Sequence, residues 1–152
     1  MLLFGASVVL LKDNELVFGI CFYNDPSVFR LLDSLPQSVT KIVVDGKFKF
    51  HGSDKPLSDE SIREKIKSYP NVILIDVPNL MENRKRDQYL IKATELKADF
   101  LFIIDSDEFI IQADWDLFYQ ELDRLNRSIP AIYGISFEYD QTSNTRYPRL
   151  WV

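Results

Sequence analysis

The densest group of chemically active side chains is the acidic segment Asp105-Ser106-Asp107-Glu108, which has three carboxylates within four residues. These carboxylates repel one another unless a cation or hydrogen bonds compensate their charge. Hard oxygen ligands of this kind suit Mg²⁺ or Mn²⁺, particularly when substrate phosphates complete the coordination shell. The segment therefore predicts a divalent-metal site. The alternative is a solvated acidic loop that leads into the next helix.

A basic cluster, Arg84-Lys85-Arg86, lies at the start of a predicted helix from Glu82 to Lys97. The N-terminus of a helix attracts phosphate through its free N–H groups and its dipole, and added cations strengthen that attraction. The alternative is an exposed basic first turn, which the helix dipole slightly disfavours. Basic cluster and acidic segment together are consistent with a metal-bound diphosphate between them.

Short apolar runs alternate with amphipathic stretches along the chain, and this alternation predicts the elements that position these residues. Strand and helix alternate at least four times, which indicates an α/β fold: a three-layer, Rossmann-like domain with a mostly parallel central sheet flanked by helices. The predicted strands are Val8 to Leu11, Leu16 to Phe22, Lys41 to Val44, Val72 to Val77, Phe100 to Ile104 and Ala131 to Tyr139. The remaining predicted helices run from Asp25-Pro26 to Pro36, from Ser58 as its cap to Pro70, and from Trp115 to Leu125 with Asp114 as its cap.

Polar or acidic residues follow four of the predicted strands. They are Tyr23-Asn24-Asp25, Asp45-Gly46, Pro78-Asn79 and the acidic segment that begins at Asp105. Ligands of such sheets bind beyond the carboxyl ends of the strands, so these residues predict one binding site at a single edge.

Composition limits the class of protein. The chain has 152 residues, of which 46% are hydrophobic and 27% charged, as expected for one folded domain. With 18 basic and 23 acidic residues its net charge is −5, which argues against nucleic acid as a partner.

A lone cysteine, Cys21, cannot form an intrachain disulfide; its apolar neighbours predict a core position and a reducing, cytoplasmic location. The apolar run 1–11 is too short to span a bilayer. The lone histidine, His51, is expected on a surface loop, and Trp115 is expected to be a packing residue.

From about residue 16 to 152 the sequence resembles the nucleotide-sugar-binding half of GT-A glycosyltransferases, especially family-2-like enzymes. The resemblance rests on the order strand–YND–helix, the turn VVDG and the stretch KRDQYLIKATELKADFLFIIDSDEF. It places the family's DxD motif at Asp105-Ser106-Asp107, and it implies transfer of a sugar from a nucleoside-diphosphate sugar with Mn²⁺ or Mg²⁺ as cofactor.

The same resemblance implies roles for individual residues. Asp105 and Asp107 would hold the metal, and Asp105 would also meet the ribose. Asp45 would contact the nucleoside base. Tyr23 and Asp25 would line the base and the ribose, and Arg86, with Lys85 adding charge, would face the base or the phosphates.

Several features depart from the family pattern. The second turn reads Asp45-Gly46-Lys47-Phe48 where Asp-Asp-Gly-Ser is common, and Arg86-Asp87 stands where Arg-Asn is common. No catalytic base is identified, and we expect residues 1–152 to form a single GT-A-like domain that lacks a full C-terminal acceptor-binding portion.

The resemblance leaves other readings open. The acceptor (a glycan, a lipid or a protein) is unknown, and self-association into a homo-oligomer would cover surface left by a missing portion. The main alternative function is a nucleotide-sugar-binding module without catalysis of its own. A nucleotidyltransferase ranks last, because residues 5–30 offer only Gly5 and Gly19 for a phosphate loop.

Overall fold

A computed structural model describes residues 15–110, 112–125, 132–139 and 143–151. The predicted strand at Val8 to Leu11 lies outside these residues. In chain order the elements are β1 (Leu16–Phe22), α1 (Ser27–Ser34), β2 (Thr40–Asp45), α2 (Glu60–Lys67), β3 (Val72–Asp76), α3 (Glu82–Glu95), β4 (Phe100–Ile103), α4 (Gln112–Leu122), β5 (Ile132–Tyr139) and β6 (Ser143–Trp151). Within the described part of the chain, no helix is both long and apolar enough to cross a bilayer.

The strands form one six-stranded sheet in the order β3-β2-β1-β4-β6-β5. The first four strands of this order are parallel, whereas β6 runs antiparallel to both β4 and β5. The prediction of an α/β fold with a mostly parallel sheet is therefore confirmed. The register aligns Phe22 with Asp45 and Asp45 with Asp76, so the carboxyl ends of three strands meet at one edge.

Helices cover both faces of the sheet because side chains alternate between the faces along each strand. On one face, Phe18 and Phe102 pack with residues of α1, α2 and α4, including the almost fully buried Trp115. On the other face, Val17 and Cys21 pack with Tyr89 and Ala93 of α3. The predicted core positions of Cys21 and Trp115 are confirmed.

Close approach of α3 to the sheet depends on Gly19 in β1. A β-carbon at this position would lie 2.9 Å from Cγ of Tyr89 and 3.1 Å from Cδ1 of Leu101. Only glycine leaves room for the tyrosine ring, so β1 and α3 are held at a short separation.

Two predicted helix caps differ from the structure. Helix α2 starts one residue after Asp59, and Ser58 makes no cap; its hydroxyl instead donates to Asp45 and accepts from the Asn24 N–H. Helix α4 begins at Gln112, so Asp114 lies inside the helix rather than before it. Tertiary hydrogen bonding thus outweighs the local capping preference of Ser58.

Candidate functional site

Asp25, which follows β1, is bonded to the loop that follows β4. Its Oδ2 accepts a hydrogen bond of 2.7 Å from the Ser106 hydroxyl, and its Oδ1 accepts one of 3.0 Å from the Ser27 N–H. In return, the Ser27 hydroxyl donates to the Ser106 carbonyl at 3.1 Å. Burial opposes ionisation of Asp25, but the hydrogen bonds from Ser27 and Ser106 outweigh it and hold the pKa of its carboxyl below the usual value. These bonds fix residues 105–108, which we call the acidic loop, against the start of α1.

Arg86 reaches the acidic loop from the other face of the sheet. Its Nη1 and Nη2 lie 3.3 and 3.2 Å from Oδ1 of Asp105, and its Nε lies 3.1 Å from Oε1 of Glu82. Burial disfavours the guanidinium charge, yet the Tyr89 hydroxyl and the Asp105 carboxylate raise the pKa of Arg86 above its ordinary value. Arg86 and Asp105 therefore form a direct ion pair, in which both side chains are about one-third exposed. The diphosphate expected between the basic cluster and the acidic segment stays a prediction.

The acidic loop also compensates part of its own charge. Glu108 Oε2 accepts a hydrogen bond of 2.8 Å from the Asp105 N–H, and the Asp105 carbonyl accepts one of 3.1 Å from the Glu108 N–H. Asp107 is exposed and forms no ion pair with any residue that the structure describes. Among those residues, no group of three or more His, Cys, Asp or Glu side chains is arranged to hold a metal ion. The acidic loop offers hard carboxylate oxygens, which are the type of ligand that Mg²⁺ or Mn²⁺ takes when phosphates and water complete its coordination shell.

Lys85 has a different position from the one expected of a phosphate ligand. Its side chain is fully buried, and its Nζ donates to the carbonyls of Phe22 and Gly46 at 2.6 and 2.7 Å. The ammonium also lies 4.5 Å from the centroid of the Phe48 ring. Desolvation by burial lowers the pKa of Lys85. Lys85 therefore ties together the carboxyl ends of β1 and β2 and does not present its charge to solvent.

Asp45 is also fully buried, at the centre of a polar network. Its carboxylate accepts hydrogen bonds from the N–H and the hydroxyl of Ser58 and forms an ion pair with Arg63. Arg63 Nη2 in turn lies 2.9 Å from Oδ2 of Asp76, whose side chain is 47% exposed. Direct contact between a nucleoside base and Asp45 therefore requires Ser58 or Arg63 to move.

Arg63 was not among the residues that the sequence pattern predicts for the site. A usable signal existed, because Arg63 stands three residues before Ile66 and shares the inner face of its helix. A charged residue on such a face is buried only if it is paired, which points to acids at neighbouring strand ends.

Tyr23 contacts the segment 47–57 that follows β2. Its hydroxyl donates to the Lys55 carbonyl at 2.7 Å and, with its only proton used there, accepts from the Ser53 hydroxyl at 2.7 Å. The ring of His51 packs edge-on against it, with the centroids 4.9 Å apart. As expected, His51 is exposed on a loop. The half-buried Tyr23 therefore links the end of β1 to this segment.

The site residues thus fall into two groups at this edge. Asp25, Arg86 and Asp105 are linked through hydrogen bonds and ion pairs around the acidic loop, and Asp107 is exposed on that loop. The predicted nucleoside contacts, Tyr23 and Asp45, lie with the segment 47–58. Lys85 is buried between the ends of β1 and β2.

Comparison with solved structures identifies a similar arrangement of elements. The chain matches the crystal structure of S. aureus TarS 1-349 with a TM-score of 0.53 and 18% sequence identity, over 72% of this chain and 32% of that chain. At this identity the match shows a shared α/β fold, in which helices flank a parallel sheet. A second TarS crystal structure matches with a TM-score of 0.48 and 20% identity, over 70% of this chain and 20% of that chain. The chain thus spans about a third of the length of TarS 1-349. No family model matches the sequence, and no curated protein matches it.

Proposed function

We propose that this chain binds a nucleoside-diphosphate sugar at the carboxyl edge of its sheet and serves as the donor-binding part of a glycosyltransferase. The observation that carries the proposal is the contact of Arg86 with Asp105 at 3.2 Å, in an acidic loop that Asp25 and Ser27 hold from the opposite face. A fixed cation beside fixed carboxylates suits a diphosphate that arrives with a divalent metal. The fold shared with TarS, a glycosyltransferase, supports the same reading.

Asp105 and Asp107 would hold Mn²⁺ or Mg²⁺ in this proposal. The bound metal would supply charge neutralisation of the leaving diphosphate. Asp107 is the exposed member of the pair, whereas Asp105 already shares one oxygen with Arg86. Arg86 would therefore orient Asp105, and the remaining N–H groups of the Arg86 guanidinium would face the phosphates.

The nucleoside would lie beside Tyr23, toward the segment 47–57. Asp45 would act from behind this surface by holding Ser58 and Arg63, which are its partners in the structure. Asp25 would fix Ser106 and with it the backbone between the two metal-binding acids. Lys85 would keep the strand ends in place.

The alternative proposal is a nucleotide-sugar-binding module without catalysis. It requires only the residues gathered at the carboxyl edge and no catalytic base. We assign no catalytic base and no acceptor.

The test of donor binding is a thermal-shift panel of nucleotides and nucleotide sugars with Mn²⁺, Mg²⁺ or EDTA. A ligand at about 100 times its dissociation constant stabilises the folded state by roughly 2.7 kcal/mol and raises Tm by several degrees. We expect one nucleoside diphosphate and its sugar to raise Tm with metal but not with EDTA. Asp107→Asn should abolish the shift, whereas Asp116→Asn, which changes an exposed acid of α4, should preserve it.

Turnover separates the two proposals. Release of the nucleoside diphosphate from the identified donor, with water or a supplied acceptor, supports the transferase. Metal-dependent binding without release supports the binding module. A flat thermal-shift panel in every condition contradicts both.

A further inference from the structure

Arg30 lies over an aromatic ring beside the acidic loop. Its Cζ is 3.6 Å from the ring centroid of Phe109, the residue that directly follows Glu108. Phe109 is 43% exposed, and Arg30 is exposed on α1. The ring supports the guanidinium by a cation–π contact and restricts its motion, while the N–H groups remain able to meet a planar anion.

The backbone on both sides of Phe109 is bonded to α1. Before Phe109, the Ser106 carbonyl accepts a hydrogen bond of 3.1 Å from the Ser27 hydroxyl. After it, the Ile110 N–H donates to the Ser34 hydroxyl at 3.4 Å. The ring and the helix that carries Arg30 are therefore held in one arrangement, so the cation is placed before any ligand arrives.

Arg30 also stands out by its charge environment. Of the arginines whose side chains the structure describes, Arg30 alone forms no ion pair; the others are Arg63, Arg84, Arg86 and Arg124. Asp33, which is three residues along α1, instead accepts a hydrogen bond of 2.9 Å from the Tyr69 hydroxyl. Because Arg30 has no carboxylate partner among the described residues, its ring-supported guanidinium can pair with an external anion.

We propose that Arg30 on Phe109 is an anion-binding subsite that takes a carboxylate or phosphate group of the acceptor substrate. The placement as an acceptor subsite rests on the proposed function. Arg86 reaches the acidic loop from the α3 face of the sheet, and Arg30 stands beside the same loop on the α1 face. The donor diphosphate and the charged acceptor would thus lie on opposite flanks of the acidic loop.

The test is an NMR titration of the ¹⁵N-labelled chain with inorganic phosphate and, separately, with acetate, both in EDTA. We expect saturable shifts of the Arg30 Nε–H and of the Phe109 and Ile110 amides. Arg30→Gln should weaken the binding by about tenfold or more, as expected for loss of a charge-assisted contact. Arg124→Gln, which changes an exposed arginine of another surface, should leave it unchanged. A response to phosphate but not acetate assigns a phosphate group, and the reverse assigns a carboxylate. No saturable response, or one that persists in Arg30→Gln, overturns the subsite.

A second measurement separates this proposal from the donor site. Arg30→Gln should keep the metal-dependent thermal shift of the wild type with the nucleoside diphosphate. Anion binding at Arg30 without any nucleotide shift would leave the subsite standing and contradict the donor proposal. A nucleotide-dependent thermal shift without anion binding at Arg30 would support the donor proposal and contradict the subsite.

Discussion

Arg63 lies in the candidate site, and the stability of the folded chain depends on its ion pairs. Its guanidinium is buried between Asp45, which has no exposed surface, and the half-exposed Asp76. The charge of Asp45 is tolerated at this depth because Arg63 and Ser58 supply its hydrogen bonds. Removal of the arginine therefore leaves an uncompensated buried carboxylate.

We expect Arg63→Ala to lower the free energy of unfolding by about 3 to 5 kcal/mol, because breaking a buried pair exposes the full desolvation cost of the remaining charge. The matched control is Arg124→Ala, whose arginine pairs with Glu121 on the surface and whose loss should cost about 1 kcal/mol or less. Urea denaturation at neutral pH measures both. Equal effects for the two variants would contradict the structural role of Arg63.

The buried Lys41 should make the free energy of unfolding depend on pH. Its side chain is fully buried, and desolvation lowers its pKa from 10.5 to about 8. Between these values the unfolded chain binds more protons than the folded one, so the free energy of unfolding rises with pH across this window. Below pH 8 the folded state bears the cost of the buried charge.

We expect the wild type to gain about 2 to 3 kcal/mol relative to Lys41→Met between pH 7 and pH 10. The methionine does not titrate, so the difference between the two proteins isolates the lysine. Denaturation curves at both pH values measure this difference. A constant difference across the window would mean that Lys41 keeps an ordinary pKa.

At the scale of elements, the turn after β2 depends on Gly46. Its φ is +142°, and a β-carbon would lie 2.4 Å from the Val77 carbonyl oxygen. The turn must also bring the Gly46 carbonyl to Lys85, so the backbone cannot relax freely. Glycine is needed here for both conformation and space.

Gly46→Ala should therefore lower the free energy of unfolding by about 2 kcal/mol or more. Gly52→Ala is the control, because a β-carbon at Gly52 meets nothing within 4 Å, and its effect should stay within about 0.5 kcal/mol. Thermal or urea denaturation compares the two. A harmless Gly46→Ala would show that the turn has room to rearrange.

At the scale of the whole molecule, the sheet lies between two apolar clusters. Trp115 of α4 belongs to the cluster that also contains residues of α1 and α2, and Cys21 of β1 belongs to the cluster on the α3 face. Burial raises the pKa of the Cys21 thiol to about 11, so it should react slowly with thiol reagents while the protein is folded. The two residues therefore report on opposite faces of one sheet.

We expect both faces to unfold in a single transition, because every parallel strand contributes side chains to both clusters. The measurement compares Trp115 fluorescence, in a Trp151→Phe background, with the urea dependence of Cys21 labelling. Coincident midpoints support one cooperative domain. Exposure of Cys21 well before the fluorescence change would indicate that α3 separates independently.

The sequence alone indicated the order and type of the elements from β1 to β5, but it did not indicate β6. Apolar periodicity marks β1 and the buried run at β4, and strand–helix alternation indicates the parallel sheet that the structure confirms. It also indicated that polar residues would gather at one edge, because parallel strands end together there. These inferences succeed because they depend on local pattern and on a general rule of sheet topology.

Tertiary structure alone decided which polar side chains are buried and what they contact. Lys85 and Arg86 are neighbours in sequence, yet one is sealed against strand carbonyls and the other reaches the acidic loop. Ser58 has the residue type of a helix cap but bonds to Asp45 instead. The physical reason is that a buried charge or hydroxyl must find its partners in space, and those partners come from distant parts of the chain whose register only the packed sheet sets.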